Sequence, residues 1–116
     1  MREIKFRARH AGVPIGWIYG YFMVENGLCH IINEDGKFKV VARTECQYTG
    51  LKEKNGKEIY EGDVMKSDGG RVRQVIFNKF TGGYRFDSGA DLMPAATEFE
   101  IIGNIYENPE LLEVKP

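Results

Sequence analysis

The sequence predicts a mainly β protein, a small bent-sheet or barrel-like fold of short antiparallel strands with at most a short C-terminal helical turn. Fourteen glycines are spread over the 116 residues, and many lie in turn signals between short β-branched and aromatic runs. From residue 48 onward these runs recur about every 8 to 12 residues, the spacing typical of small barrels and sandwiches. A chain of this length builds one core, so we expect a single β-rich domain over residues 1–116.

Alternating side chains predict the first two strands. Residues 4–8 alternate between apolar and basic side chains, as the period of two requires of a half-buried strand. The basic face consists of Lys5, Arg7 and Arg9. Residues 15–24 are apolar on both faces, so we expect both faces of this strand to be covered. One of these faces carries an aromatic row, Trp17, Tyr19 and Tyr21.

Turn signals divide the rest of the chain. Asn26-Gly27 is the strongest hairpin signal, because both residues tolerate positive φ, and it completes a four-stranded meander in the first half. The further β-rich runs are residues 28–32, 38–42, 48–51, 58–65, 71–78, 84–86 and 99–106. Residues 90–97 have weak helix or loop character, because Pro94 limits any helix. Residues 109–113 predict one helical turn, with Asn108 as its N-cap.

Composition excludes several classes of protein. The formal net charge of -1 removes the general attraction of a strongly basic nucleic-acid binder, so polyanion binding would need a local patch. Two cysteines, Cys29 and Cys46, are too few for a disulfide scaffold. No signal peptide is visible, and no apolar run approaches the roughly 18 residues of a membrane helix. We therefore expect a soluble protein of a reducing cytoplasm that does not contact membranes.

Three blocks of sequence carry a family resemblance. They read MREIKFRA at residues 1–8, QYTGLKEKNGKEIYEGDV at 47–64 and IIGNIYENPELL at 101–112. In this order they resemble the YopX family of phage and prophage proteins. The resemblance implies a β-rich fold encoded by phage or prophage in a bacterial host, with no assigned activity and no catalytic residues to carry over. One departure is Arg9-His10, where the family continues with an aromatic and an acidic residue.

Cysteine and histidine do not form a specific pattern. The four residues of these types, His10, Cys29, His30 and Cys46, lack the spacing of metal ligands. Cys29 and His30 are adjacent in a predicted strand and should point to opposite faces. A Cys–His nucleophilic pair across strands stays open, although no third orienting group can be named. We expect no metal, no cofactor and no catalytic residue, and a small hydrolase-like enzyme ranks third among the functions considered.

Five carboxylates lie around glycine-rich turns. They are Glu61, Asp63, Asp68, Asp87 and Asp91. If these side chains came together in the fold, they could bind Mg²⁺ or act as an acid–base pair. Aspartate beside glycine is more typical of a turn residue that accepts hydrogen bonds from nearby backbone N–H groups, so we favour that interpretation.

The basic face and the aromatic row form the candidate partner surface. An aromatic row at strand spacing is more often core or subunit interface than a ligand surface. Combined with basic side chains it also matches single-strand nucleic-acid binding, in which bases stack on rings. The candidate residues are Lys5, Arg7, Arg9, Trp17, Tyr19, Tyr21, Arg71 and Arg73. From residue 59 onward the chain has six basic and ten acidic residues, and this excess of acidic residues argues against a broad nucleic-acid surface there.

These observations rank the functions. First comes a non-catalytic accessory protein that binds a host or phage protein, or assembles as a homo-oligomer through strand edges or the aromatic face. The alternative is a nucleic-acid-binding module that uses the basic face and the aromatic row.

Overall fold

The computed structural model describes residues 5–12, 16–78, 83–88, 92 and 98–112. These residues form antiparallel strands and one 3₁₀ turn, Pro109–Leu112. The strands are β1 (Phe6–Arg9), β2 (Trp17–Glu25), β3 (Leu28–Asn33), β4 (Gly36–Lys39), β5 (Cys46–Lys52), β6 (Glu58–Tyr60), β7 (Asp63–Ser67), β8 (Val72–Asn78), β9 (Gly83–Phe86) and β10 (Phe99–Asn104). They lie in two sheets, of order β4-β3-β2-β1-β5-β6 and β10-β7-β8-β9. The mainly β fold is confirmed, and the strands of the described chain do not close into a barrel.

The chain forms two compact units, Met1–Tyr48 and Thr49–Pro116. The first contains β1 to β4, and the predicted four-stranded meander is confirmed by their pairing. The predicted hairpin between β2 and β3 is also confirmed, since Asn26 and Gly27 have φ of 52° and 76°. That residues 1–116 form a single domain stays a prediction.

The core of the first unit lies on one face of its sheet. Ala8, Ile31 and Val40 are buried there. Four half-buried side chains pack against them, namely Phe6, Ile18, Phe22 and Cys29. The apolar face predicted for the first strand is therefore the core face.

The second unit has its own core, built on β6 to β10. Its buried side chains are Ile59, Met65, Val75, Phe86, Leu92 and Phe99. The 3₁₀ turn packs over Gly103, where an added Cβ would come within 2.9 Å of Leu111 Cδ1. Glycine at this position of β10 therefore allows the turn to lie close to the sheet.

A buried carboxylate organises the turn between β5 and β6. Glu53 Oε1 accepts hydrogen bonds from the N–H groups of Asn55 and Lys57 at 2.7 and 3.2 Å. Its Oε2 accepts one from the N–H of Ile101 in β10 at 3.1 Å. Glu53 thus joins the turn that contains Asn55 and Gly56 to β10 of the other sheet.

Several boundaries differ from the sequence prediction. The run 58–65 is broken after Tyr60, because Gly62 adopts a φ of 89° and Asp63 Oδ2 accepts a hydrogen bond from the Tyr60 N–H at 2.8 Å. β4 spans Gly36–Lys39, two residues earlier at its start than expected. Asn108 precedes the 3₁₀ turn without capping it, since its Oδ1 accepts from the Asn104 N–H at 3.3 Å. Apart from Leu92, the loop predicted at 90–97 lies outside the described residues.

Candidate functional site

Strand register brings the predicted basic face and the predicted aromatic row together. β1 and β2 are antiparallel neighbours, with Arg7 opposite Tyr19 and Arg9 opposite Trp17. Directly opposite residues of an antiparallel pair share one face of the sheet. Tyr21 lies on that face too, because it follows Tyr19 by two residues. The predicted basic face and the predicted aromatic row are therefore parts of one surface.

The same face continues across β3 and β4. Tyr21 lies opposite Ile32, and Ile32 lies opposite Lys37. In the next row His30 of β3 lies opposite Lys39 of β4. We call this surface the aromatic–basic face; its strand residues are Lys5, Arg7, Arg9, Trp17, Tyr19, Tyr21, Met23, Glu25, Leu28, His30, Ile32, Lys37, Lys39, Cys46 and Tyr48.

The centre of the aromatic–basic face is open. Tyr21 is 68% exposed and Tyr19 is 45% exposed, and Ile32 beside them is 37% exposed. Trp17 is half-buried. In the chain by itself this face of β2 is therefore exposed at both tyrosines, and the expectation that both faces of β2 are covered stays a prediction.

Arg7 is not the solvent-facing phosphate contact that strand alternation suggested. It is only 7% exposed, and its guanidinium carbon lies 4.6 Å from the centre of the Trp17 ring. This distance is typical of a cation–π contact. Trp17 lies two residues from Tyr19, which is the residue opposite Arg7, so the Trp17 ring contacts Arg7 diagonally across the two strands. The charge of Arg7 still contributes to the field of the face.

The two other basic residues of this pattern are Lys5, which precedes β1, and Arg9, the last residue of β1. Lys5 Nζ is 5.3 Å from the centre of the Tyr48 ring. Arg9 is half-buried, and its backbone N–H donates to Thr44 Oγ1 at 3.0 Å.

Positive charge dominates the aromatic–basic face. Among its strand residues five are basic, namely Lys5, Arg7, Arg9, Lys37 and Lys39, and one, Glu25, is acidic. Lys37 Nζ lies 2.6 Å from Glu25 Oε1, and this hydrogen bond, with the lysine charge, lowers the pKa of Glu25 below its ordinary 4.5. The carboxylate is therefore ionised at neutral pH, and the described residues of the face include more basic than acidic side chains.

Arg71 and Arg73 belong to the second unit, where they border a cavity of about 420 Å³. The residues lining it are Gly70, Arg71, Val72, Arg73, Asp87, Leu111 and Leu112. Arg71 is exposed, and Arg73 Nη1 donates to the Val72 carbonyl at 2.9 Å.

The cysteines and histidines do not come together. Cys29 and His30 face opposite sides of β3, as predicted, and Cys29 packs against the core. Cys46 is buried, and its thiol donates to the Thr44 carbonyl with an Sγ–O distance of 3.3 Å. His10 Nδ1 accepts a hydrogen bond from the Gly12 N–H at 2.9 Å. Within the described ranges, no group of three or more His, Cys, Asp or Glu side chains is placed to hold a metal ion.

The turn carboxylates have separate local roles. Asp63 fixes the turn before β7 by accepting the Tyr60 N–H, which confirms the turn interpretation for that residue. Asp68 is an exposed partner of Lys54, with 2.9 Å between Oδ1 and Nζ. Asp87 lines the cavity of the second unit. Asp91 lies outside the described residues.

Nine residues of the aromatic–basic face were not among the sequence candidates, and three of these extend the face across β3 and β4 beyond Tyr21 with apolar surface or positive charge. These three are Ile32, Lys37 and Lys39. The signal was present, since Gly36-Lys37-Phe38-Lys39 alternates in the same way as residues 4–8. What was needed in addition was the β2–β3–β4 register, which places Ile32 and Lys37 in the row of Tyr21 and Lys39 in the next row.

Comparison with known proteins supports the fold and identifies the family. The crystal structure of protein EF1440 from Enterococcus faecalis is similar, with a TM-score of 0.58, 23% sequence identity, and coverage of 97% of this chain and 100% of that one. No curated protein matches the sequence. No helix of the described chain is long and apolar enough to cross a membrane. The family model described as YopX protein matches residues 24–113. This match includes two of the three resembling blocks and most of the chain, so the protein belongs to the YopX family.

Proposed function

We propose that this protein is a non-catalytic binding module whose aromatic–basic face holds single-stranded nucleic acid. The observation that carries the proposal is the composition of this face, where five basic side chains and one carboxylate share the face with the exposed side chains of Tyr19 and Tyr21. Proteins that bind single strands combine a positively charged surface with aromatic rings on which bases stack. The face supplies both components within one sheet.

The spacing of the rings favours an extended strand over a duplex. Tyr19 and Tyr21 are two residues apart on β2, so their Cα atoms lie about 6.6 Å apart along the strand. This is about twice the 3.4 Å rise per nucleotide in one strand of a duplex. Two bases that stack on successive tyrosines must therefore be unstacked from each other, which a paired helix does not allow.

Charge also favours nucleic acid over a second copy of the chain as the ligand of this face. A two-fold dimer would place the same patch of each copy against the other. Five basic side chains and one carboxylate would then meet an identical set, and like charges brought together without counterions repel. A polyanion neutralises the same charges and releases its own counterions.

The proposal is tested by fluorescence anisotropy of the full chain with a labelled 12-nucleotide single strand and the matching duplex, at low and moderate salt. We expect saturable binding of the single strand, weaker binding of the duplex, and affinity that falls as salt rises. Duplex binding equal to single-strand binding would remove the stacking argument. Absence of binding at low salt would overturn the proposal.

Self-association is the second candidate, and a specific observation favours it. Val24 and Leu28 are exposed on either side of the β2–β3 turn, with 58% and 45% of their surfaces accessible. They lie on opposite faces of the hairpin, so each adds one exposed apolar side chain that a second copy could cover. The edge strand β4 is a weaker candidate, because lysines such as Lys37 and Lys39 are a common means of preventing edge pairing. A sedimentation mass equal to one chain at micromolar concentration would exclude this candidate.

The cellular setting is part of the proposal. The resemblance of the three sequence blocks supports an accessory protein encoded by phage or prophage and acting in the cytoplasm of a bacterial host. Cys29 and Cys46 are not joined by a disulfide.

A further inference from the structure

The cavity of the second unit is a site separate from the aromatic–basic face in its residues and its chemistry. It lies beside the start of β8 and is bordered by the 3₁₀ turn Pro109–Leu112. Its volume of about 420 Å³ is within the range of small-molecule sites, about 300 to 1,000 Å³.

The cavity has two guanidinium groups on its border. Arg71 has an exposed side chain, and Arg73 gives one donor to the Val72 carbonyl. A guanidinium carries five N–H donors in a planar fork, so most donors of both groups are left for a ligand. Neither arginine pairs with a carboxylate of the described chain. Arginine forks match the oxygens of phosphate and carboxylate groups, so this side of the cavity suits an anion.

The rest of the lining has two other chemical characters. Leu111 and Leu112 are half-buried and supply apolar surface from the 3₁₀ turn. Asp87 is exposed and supplies carboxylate oxygens, which accept hydrogen bonds from N–H or O–H groups. A ligand that uses the whole cavity needs an anionic group, an apolar surface and a hydrogen-bond donor.

We infer that this cavity binds a small phosphate ester with a flat apolar body, the chemistry of a nucleoside monophosphate. The phosphate pairs with Arg71 and Arg73, the base packs on Leu111 and Leu112, and a ribose hydroxyl or base amine donates to Asp87. The two arginines and one aspartate give the lining a net positive charge, so it favours a ligand of net negative charge over a zwitterionic amino acid. A fatty acid would leave Asp87 without a donor.

The test is isothermal titration of the full chain with three probes: adenosine monophosphate, adenosine and inorganic phosphate. We expect saturable binding of adenosine monophosphate and at least about tenfold weaker binding of the other two, since each lacks one part of the ligand. Inorganic phosphate binding as tightly as the nucleotide would overturn the inference. So would the absence of saturable nucleotide binding at millimolar concentration.

Two substitutions locate the site. Arg71→Gln removes an exposed charge and should weaken nucleotide binding about tenfold or more, because a charged hydrogen bond is lost. Arg43→Gln removes an exposed arginine of the first unit and should leave binding unchanged. Equal binding by wild type and Arg71→Gln would contradict the assignment. Arg71 does not belong to the aromatic–basic face, so loss of nucleotide binding in Arg71→Gln supports the cavity whether or not that face binds single strands.

Discussion

Individual residues on one strand face have different roles, and burial separates them. Tyr21 and Tyr19 are exposed, whereas Arg7 lies against the Trp17 ring with 7% of its surface exposed. Truncating Arg7 would therefore remove a buried contact and damage the fold, so it is a poor probe of ligand binding. Tyr21 is the better probe, because its side chain can be shortened without opening the core.

Glu53 is the residue whose loss should affect stability most clearly. The substitution Glu53→Gln keeps the shape of the side chain but replaces one of its two acceptor oxygens by an NH₂ donor. The single remaining oxygen cannot accept hydrogen bonds from all three N–H groups that Glu53 binds. We expect Glu53→Gln to lower the free energy of unfolding by about 1 to 3 kcal/mol at neutral pH. Urea unfolding followed by circular dichroism measures this, with exposed Glu34→Gln as the control. Equal losses in the two variants would show that the contacts of Glu53 contribute nothing specific.

The same residue predicts a pH dependence. Burial raises the pKa of Glu53, but hydrogen bonds from three backbone N–H groups outweigh burial and hold the pKa below its ordinary 4.5. A carboxyl group with a lowered pKa in the folded state stabilises the protein above the unfolded pKa, and this contribution disappears as pH falls through the folded pKa. The stability gap between wild type and Glu53→Gln should therefore shrink below pH 4.5. A gap that stays constant down to the acid transition would contradict this prediction.

At the level of elements, the pairing of β2 with β3 depends on the absence of a side chain at Gly20. An added Cβ on Gly20 would lie 2.3 Å from the backbone carbonyl oxygen of Ile32 in β3. Backbone cannot move aside as a flexible side chain can. Gly20→Ala should therefore lower the free energy of unfolding by about 1 to 3 kcal/mol, as overpacking typically does.

A strand glycine with free space around it serves as the control. Gly83 begins β9, and its added Cβ would meet no atom within 4 Å. Thermal unfolding should show a lower midpoint for Gly20→Ala and little change for Gly83→Ala. Similar midpoints for both variants would mean that β2 and β3 can separate to admit the methyl group.

Sequence patterns predicted the elements better than their ends. The Asn26-Gly27 hairpin and the meander follow from local rules, because turn chemistry and alternation act over a few neighbouring residues. The strand ends after Tyr60 because of the combined effect of Gly62 and Asp63, and the β-rich pattern of residues 58–65 does not show this end. The burial of Arg7 under Trp17 requires the register of two strands, which alternation within one strand does not contain.

The candidate site was predicted in part for the same reason. The basic face and the aromatic row were found separately, and only pairing between strands joins them into one surface. The lysines of β4 become part of this surface through the pairings of β2 with β3 and of β3 with β4. Arg71 and Arg73 were grouped with that surface by charge alone, whereas the structure places them at a cavity of the second unit.

For the molecule as a whole, charge distribution matters more than net charge. The chain carries a net charge of -1, yet the aromatic–basic face has five basic residues and one acidic residue. Binding to nucleic acid should therefore depend steeply on salt despite the acidic composition, because only local phosphate contacts release counterions.

Removing one charge from the face should change that dependence. Lys39→Gln should weaken single-strand binding and reduce the slope of log affinity against log salt by about 0.7, the value for one phosphate contact on a single strand. Lys52→Gln, an exposed lysine of the second unit, should leave the slope unchanged. Anisotropy titrations at several salt concentrations measure both. The same slope for wild type and Lys39→Gln would remove β4 from the proposed contact surface.

The most direct test of base stacking on the aromatic–basic face compares Tyr21→Ala with Tyr21→Phe in anisotropy titrations of a labelled single strand. Loss of the ring should weaken binding by about 1 to 3 kcal/mol, whereas phenylalanine keeps the ring and should bind nearly as wild type does. Circular dichroism of both variants shows whether the fold is retained. Equal affinity of Tyr21→Ala, Tyr21→Phe and wild type would contradict the account.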